Sequence, residues 1–310
     1  MERVDYDEFG YFHENAEEYG IYYPGPPSVR RVGVELGDGR RLSALIWGDS
    51  DPELVLLHGG AQNAHTWDTV ALALGRPLVA VDLPGHGHSD ASAKDMSPLD
   101  GIGRDLAEAV RRLAPRANAI AGMSLGGLGA ISMCAVDPTL VRRLVLVDIT
   151  PGVTERKASA ITSFISGPES FATFQEILDR TVAFNPTRSV ASLRRGVLHN
   201  AVQRDDGRWV WRYARHPVPD SRPYEAVDRS AGSGDPPNFS DLWNTISSIE
   251  VPIMLVRGMA VGSVVDDDDE AELLKRRPNA RIERVQGAGH SVQGDAPVEL
   301  AKLIESFIDQ

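Results

Sequence analysis

Five short stretches constrain this chain most. Residues 54–57 (LVLL), 78–83 (LVAVDL), 119–121 (AIA), 144–147 (LVLV) and 253–256 (IMLV) are almost wholly apolar. A strand with one wet face alternates apolar and polar residues, whereas a strand covered on both faces reads as a continuous apolar run. Helical patterns lie between the runs. Ser97-Pro98-Leu99-Asp100 supplies an N-cap, a proline in the first turn and an acid at the third position. Ile102, Leu106, Ala109 and Leu113 then recur at helical spacing. Near the end, Asp295 is expected to cap a helix with Pro297 at its start and a stripe of Leu300, Leu303, Ile304, Phe307 and Ile308. Residues 32–36 and 42–47 flank Gly37-Asp38-Gly39 as an antiparallel hairpin. The predicted class is α/β: a mostly parallel central sheet with helices on both faces.

Two regions break this rhythm. Between residues 151 and 247 no buried-strand run appears, and Phe164, Phe171, Phe174, Phe184, Trp209, Trp211 and Tyr213 sit in a mostly helical, polar setting. We read 151–247 as a helical cap inserted into a core made of 31–150 and 248–310, with a Pro/Gly/Ser-rich loop over 222–238. Residues 1–30 form an arm in which seven aromatic residues, from Tyr6 to Tyr23, interleave with Asp and Glu. Such an arm is expected to pack on a surface rather than fold by itself, and aromatics of this kind also suit a contact in a homo-oligomer.

Composition narrows the classes of partner. Lys plus Arg number 32 against 44 Asp plus Glu, a formal charge of -12. A surface of that sign repels phosphate backbones, so nucleic acid is not an expected partner. No apolar run approaches the ~18 residues of a membrane span, and the first ten residues lack the basic-then-apolar pattern of a signal peptide. Cys134 is the only cysteine. Disulfides and a cysteine-rich zinc site are therefore excluded, and a reducing cytoplasm is the expected location.

The strongest chemical signal is Gly122-Met123-Ser124-Leu125-Gly126, preceded by an apolar strand and followed by a helical pattern (Leu128, Ile131, Cys134). This is the strand–turn–helix setting of a nucleophile elbow. The sharp turn leaves no room for side chains two residues either side, hence the glycines, and it sets Ser124 at a helix N-terminus where negative charge is favoured. Val55-Leu-Leu-His58-Gly59-Gly60 ends another strand. The N–H groups of Gly60 and Leu125 are expected to form an oxyanion hole, with His58 bracing the loop. Gly289-His290 follows the strand over 281–285, where an imidazole can reach over the sheet to Ser124 as its base. His86-x-His88-x-Asp90 imitates the start of a binuclear metal motif, but Ala91 fills the next ligand position and His199, His216 and His290 lack companion ligands. No metal and no cofactor is expected.

The order HGG, DLPGHGHS, GMSLGG, GAGH resembles the α/β-hydrolase superfamily, in particular its esterase- and lactonase-like members with a helical cap, over about residues 30–150 and 250–310. Hydrolases of the resorcylic lactone zearalenone share this plan, though no motif here singles them out. By position, the resemblance implies Ser124 as nucleophile, His290 as general base, and Gly60 and Leu125 as oxyanion donors. The chain departs from the pattern at the triad acid. Val261 stands at the commonest place, after the strand ending at Arg257. Two carboxylates remain: Asp148, ending the buried strand after the nucleophile's, and Asp266, opening an acidic run to Glu270 that also reads as a solvated helix start. Asp148 is preferred, because the orienting acid works best buried. The implied activity is hydrolysis of a carboxylic ester or lactone through a Ser-His-Asp triad; the cap's aromatics suggest a neutral, fairly apolar small-molecule substrate, and the acidic net charge disfavours an anionic one. Carbon–carbon hydrolysis by the same residues and a non-catalytic small-molecule receptor are the alternatives, since fold alone does not decide.

Overall fold

The structure is a computed structural model that describes residues 4–92, 97–213, 239 and 241–310. Its strands are β1 (Val29–Glu35), β2 (Arg41–Trp47), β3 (Leu54–Leu57), β4 (Leu78–Val81), β5 (Ala119–Met123), β6 (Leu144–Val147), β7 (Ala201–Gln203), β8 (Trp209–Trp211), β9 (Ile253–Gly258) and β10 (Arg281–Val285). Its α-helices are α1 (Phe12–Tyr19), α2 (Asp68–Leu74), α3 (Pro98–Leu113), α4 (Leu125–Val136), α5 (Ser159–Ile165), α6 (Phe174–Phe184), α7 (Val190–Asn200), α8 (Leu242–Ser248), α9 (Asp267–Arg276), α10 (Val292–Asp295) and α11 (Pro297–Ile308).

Eight strands form one sheet in the order β1-β2-β4-β3-β5-β6-β9-β10. The hairpin β1–β2 and the β2–β4 pair are antiparallel, and every other neighbour is parallel. Strands β3 to β6 are buried at every position, which is why their sequences show no alternation. One apolar cluster covers one face with α3, α4 and α8, and a second covers the other with α2, α11 and Phe12 of α1. Helices α3 and α4 pack closely because Gly103 faces Ser132 and Gly129 faces Ile102, where a Cβ would come within 2.3 and 2.7 Å.

The N-terminal arm carries a helix, α1, whose Phe12 is buried against Trp47 with ring centroids 4.9 Å apart. Two expectations need correction. The segment after β6 is not only helical: β7 and β8 form a small antiparallel sheet whose Trp209 and Trp211 are buried. A three-residue strand pair is too short to leave a period in the sequence. Asp295 does not cap α11, whose N-cap is Ala296; its carboxylate turns back to the amide of Gly289 at 2.9 Å. The proposed loop over 222–238 and His216 lie outside the described residues. Among the described residues, no helix is long and apolar enough to cross a membrane.

Candidate active site

The turn from β5 into α4 holds Ser124 at φ 49, ψ -118. A Cβ on Gly122 would lie 2.5 Å from the carbonyl of Gly126, and one on Gly126 would lie 2.5 Å from the carbonyls of Leu57 and His58. Neither position can carry a side chain without opening the turn. The Ser124 amide is spent on Val147 at 3.2 Å, while Leu125 opens the first turn of α4, where amides lack an intrahelical acceptor. Gly60 lies beside Leu125: a Cβ on Gly60 would stand 3.9 Å from a Leu125 methyl.

His290 sits on the loop between β10 and α10. The loop is pinned by Ala260 N–H to the Ala288 carbonyl at 2.8 Å and by Gly289 N–H to Asp295. It passes so close to β9 that a Cβ on Gly258 would meet the Gly289 carbonyl at 2.2 Å. The Nδ1 of His290 lies 2.9 Å from Oδ2 of Asp148. A carboxylate only accepts, so Nδ1 carries the proton and the neutral ring's lone pair falls on Nε2. That Nε2 is buried with no hydrogen-bond partner. Ser124 and His290 line one cavity without being hydrogen-bonded to each other, and such contacts often tighten only on substrate binding.

Asp148 is wholly buried at the end of β6 with φ 47. Besides His290 it accepts from Gly258 N–H at 2.9 Å, Ser263 Oγ at 2.6 Å and Val264 N–H at 3.0 Å. The end of β9 and the loop after it, which hold Val261 at the commonest place for an acid, thus supply donors to a carboxylate at the end of β6. Ser263 was not foreseen, and Val261 points fully into solvent. Asp266 is placed elsewhere: it is the N-cap of α9, shares a capping box with Asp269, and pairs with Lys157 at 2.8 Å. The acidic run opens a helix, but it is not all solvated. Asp269 and Glu270 are buried, Asp269 against Lys157 and Glu270 against Arg257 and Arg284.

The histidines of the neighbouring loops are braces. His58 Nε2 accepts from Leu83 N–H at 2.9 Å and its Nδ1 reaches the Gly59 carbonyl at 2.7 Å. Burial pushes its pKa down to about 3, so it stays neutral. His86 accepts from Ala61 N–H at 3.1 Å, and Asn200 of α7 donates to the Ala61 carbonyl at 2.6 Å. Together they hold Ala61 at φ 61, next to Gly60. His88 and Asp90 serve the turn instead: the His88 amide donates to Asp82, and Asp90 accepts from Arg41 N–H. Cys134 is buried, and its thiol is pushed up to about 12 by desolvation.

A different cluster gathers at the cavity edge. His65, Asp68 and His199 are buried with donor atoms all within 4.8 Å of one another, donor types that suit a divalent metal. As folded they act as an ion pair with the arm. His65 Nδ1 lies 2.9 Å from Asp68 and Nε2 lies 3.2 Å from Glu8, while its ring stacks on that of His199 at 3.9 Å. Burial opposes charge on His65, but Asp68 and Glu8 outweigh it and raise its pKa to about 9. Burial likewise opposes charge on Glu8, but hydrogen bonds from His65 and Arg31 lower it to about 2. The folded pKa of His65 exceeds its unfolded value of 6.5, so its stabilisation is full below that pH and drains away as pH rises through about 9. The carboxyl of Glu8 has the opposite sense: its contribution is full above 4.5 and is lost as pH falls through about 2. A His65→Asn variant should therefore melt roughly 4 °C below wild type near pH 6. That gap should close toward about pH 9.5. Calorimetry at both values checks it, and a constant gap would remove the charge from the account. Sequence reading missed this cluster; His65 and Asp68 share a helical turn, but Glu8 and His199 arrive only through the fold.

The cavity measures about 680 Å³ and opens between the core loops and the segment after β6. Of the aromatic residues in that segment, Phe164, Phe184 and Trp211 line it. Phe171, Phe174 and Trp209 are absent from its wall; they pack around β8, Phe174 against Trp209 at 5.1 Å. Asn15 and Tyr19 of the arm line it as well, which the arm's composition did not signal.

This arrangement of an elbow serine, a loop histidine and an eight-stranded sheet defines a hydrolase scaffold. The model of the alpha/beta hydrolase family matches residues 54–303, and the chain belongs to that family. Esterase Rv0045c of Mycobacterium tuberculosis is 43% identical over 311 residues, spanning 98% of this chain and 96% of that protein. A crystal structure of Rv0045c aligns over 100% of both chains with a TM-score of 0.81. A pimeloyl-(acyl-carrier protein) methyl ester esterase of Yersinia pseudotuberculosis is 30% identical over 276 residues, covering 87% of this chain and 99% of that one. The crystal structure of E-2-(acetamidomethylene)succinate hydrolase, at 21% identity and a TM-score of 0.74, shares the fold.

Proposed function

We propose that this chain is a serine esterase acting on carboxylic esters or lactones of small, fairly apolar molecules. The observation that carries the reading is the contact of the buried Asp148 with His290, whose ring lines the same cavity as Ser124. In this reading Ser124 Oγ attacks the carbonyl carbon while His290 Nε2 takes its proton. Asp148 holds the ring in the required tautomer and stabilises the imidazolium. The amides of Gly60 and Leu125 receive the developing oxyanion. The imidazolium returns its proton to the leaving alkoxide, and water activated by the same nitrogen cleaves the acyl-enzyme. The segment over 151–247 acts as a cap whose Phe164, Phe184, Trp211, Ile165 and Leu193 give the substrate an apolar wall. The related esterase and methyl ester esterase support ester cleavage. A single buried, unpaired cysteine suits the reducing cytoplasm.

The test is a panel of p-nitrophenyl esters and lactones together with a fluorophosphonate probe. Turnover with a probe adduct on Ser124 is expected. A protein that binds the panel compounds but neither turns them over nor takes the probe is a receptor, and the esterase reading is then wrong.

A further inference from the structure

Among the described residues two arginines line the cavity, and they differ in how their charge is met. Arg195 is fully engaged: its guanidinium donates to Asn15 Oδ1 at 2.7 Å and pairs with Glu14 and Glu18. Among the described residues the Arg188 guanidinium makes one hydrogen bond, from Nη2 to Ser192 Oγ at 2.7 Å. Its Nε is buried without a partner. No described carboxylate forms an ion pair with it. Tyr19, Asp295 and Glu18 are near enough to act on its charge, but none of them is hydrogen-bonded or ion-paired to it; Tyr19 donates to the Gly294 carbonyl, Glu18 binds Ser189 and Arg195, and Asp295 accepts from the Gly289 amide. Arg188 is also held in place. It packs on α10 so closely that a Cβ on Gly294 would lie 2.8 Å from its Cζ, four residues after His290.

Arg188 is half-buried with its Nε shielded from water; a cation so placed without a paired anion carries a cost, and the cost falls when an anion completes it. Burial acts on Arg188 in that sense, lowering its pKa, but a guanidinium stays charged. We propose that Arg188 is a subsite for a carboxylate at the far end of the substrate, so that the preferred ester has an apolar chain ending in a single negative charge. This rests on the esterase reading above. It replaces the neutral substrate expected from the net charge, because the cavity carries its own cation whatever the surface does. One planar fork matches a carboxylate monoanion. A phosphate dianion would call for a second free cation, and Arg195 is already consumed by the arm.

The experiment compares two p-nitrophenyl esters of equal chain length, the hexanoate and the adipate half-ester. The readout is the ratio of their kcat/KM values, which cancels any general loss of activity or of folded protein. In the wild type the half-ester should be favoured about tenfold or more, the worth of a charged hydrogen-bonded contact. Arg188→Met should bring the ratio to about one, and Arg188→Gln provides the same comparison where the methionine variant fails to fold. Hexanoate turnover with a wild-type ratio near one, or a ratio untouched by either substitution, overturns the subsite and leaves the esterase reading standing. Failure of the wild type to cleave either ester overturns both.

Discussion

Ser124→Ala is expected to abolish ester turnover, with kcat down by on the order of 10⁶, and to leave the fold as it was. The expected loss is large because in the proposed triad serine, imidazole and carboxylate act as a unit, so removing the nucleophile would remove nearly everything the unit does. The fold should survive for reasons visible at the turn. The amide of Ser124, not its hydroxyl, makes the bond to Val147. The glycines that let the turn close, Gly122 and Gly126, are untouched. Alanine leaves no orphaned partner, so the melting temperature should stay within about 1 °C of wild type, as for a change that removes no buried contact. Fluorophosphonate labelling should vanish together with turnover. An alanine variant that retains a tenth of wild-type activity would falsify the assignment of Ser124 as nucleophile.

What was legible in the sequence was legible because it is local. The apolar runs 54–57 and 144–147 coincide with β3 and β6, since burial on both faces leaves a continuous signature. The elbow could be read because the residues that bear its steric demand are five consecutive ones, although the carbonyls that crowd Gly126 come from Leu57 and His58. His58 as a brace followed from its place at the end of a buried strand. The remainder depends on residues that only the fold brings together. Nothing in Glu8 or His199 announces the ion pair of the one and the stack of the other with His65, since 57 and 134 positions separate them from it. Ser263 reads as a loop serine until β9 and β6 are placed side by side. Arg188 follows a turn and precedes a helix, as many surface arginines do. Its distinction is a negative one, the lack of a carboxylate, and sequence cannot display that. The hairpin of β7 and β8 escaped for a related reason: six residues do not make a period, and the hydrogen bonds between Phe171 and Trp209 that extend it are non-local.

Asp148→Asn should lower kcat by on the order of 10⁴, the loss seen for the equivalent change in a serine protease. The argument lies in the donors around the carboxylate. Oδ2 accepts from His290 Nδ1 and Val264 N–H, and Oδ1 accepts from Gly258 N–H and Ser263 Oγ. An asparagine amide group placed toward His290 is a donor facing a donor. The ring must then present a bare Nδ1 and move its proton to Nε2, where it can no longer accept one from Ser124. Turned the other way, the amide group faces the Gly258 N–H, and a buried donor is left unmet at a cost of about 1–3 kcal/mol. Asparagine therefore fails in either orientation, and the variant should lose some stability as well as rate. Asp266→Asn should behave differently. Asparagine is as good an N-cap as aspartate, and Lys157 keeps its contact with Asp269 at 2.6 Å. Its kcat should stay within about twofold of wild type, as expected for a residue remote from the reacting atoms. Both variants are measured on one activated ester at one pH, with melting temperatures alongside to separate lost rate from lost fold. If Asp266→Asn is crippled and Asp148→Asn is not, the hydrogen bond to His290 is incidental and the orienting charge comes from the start of α9.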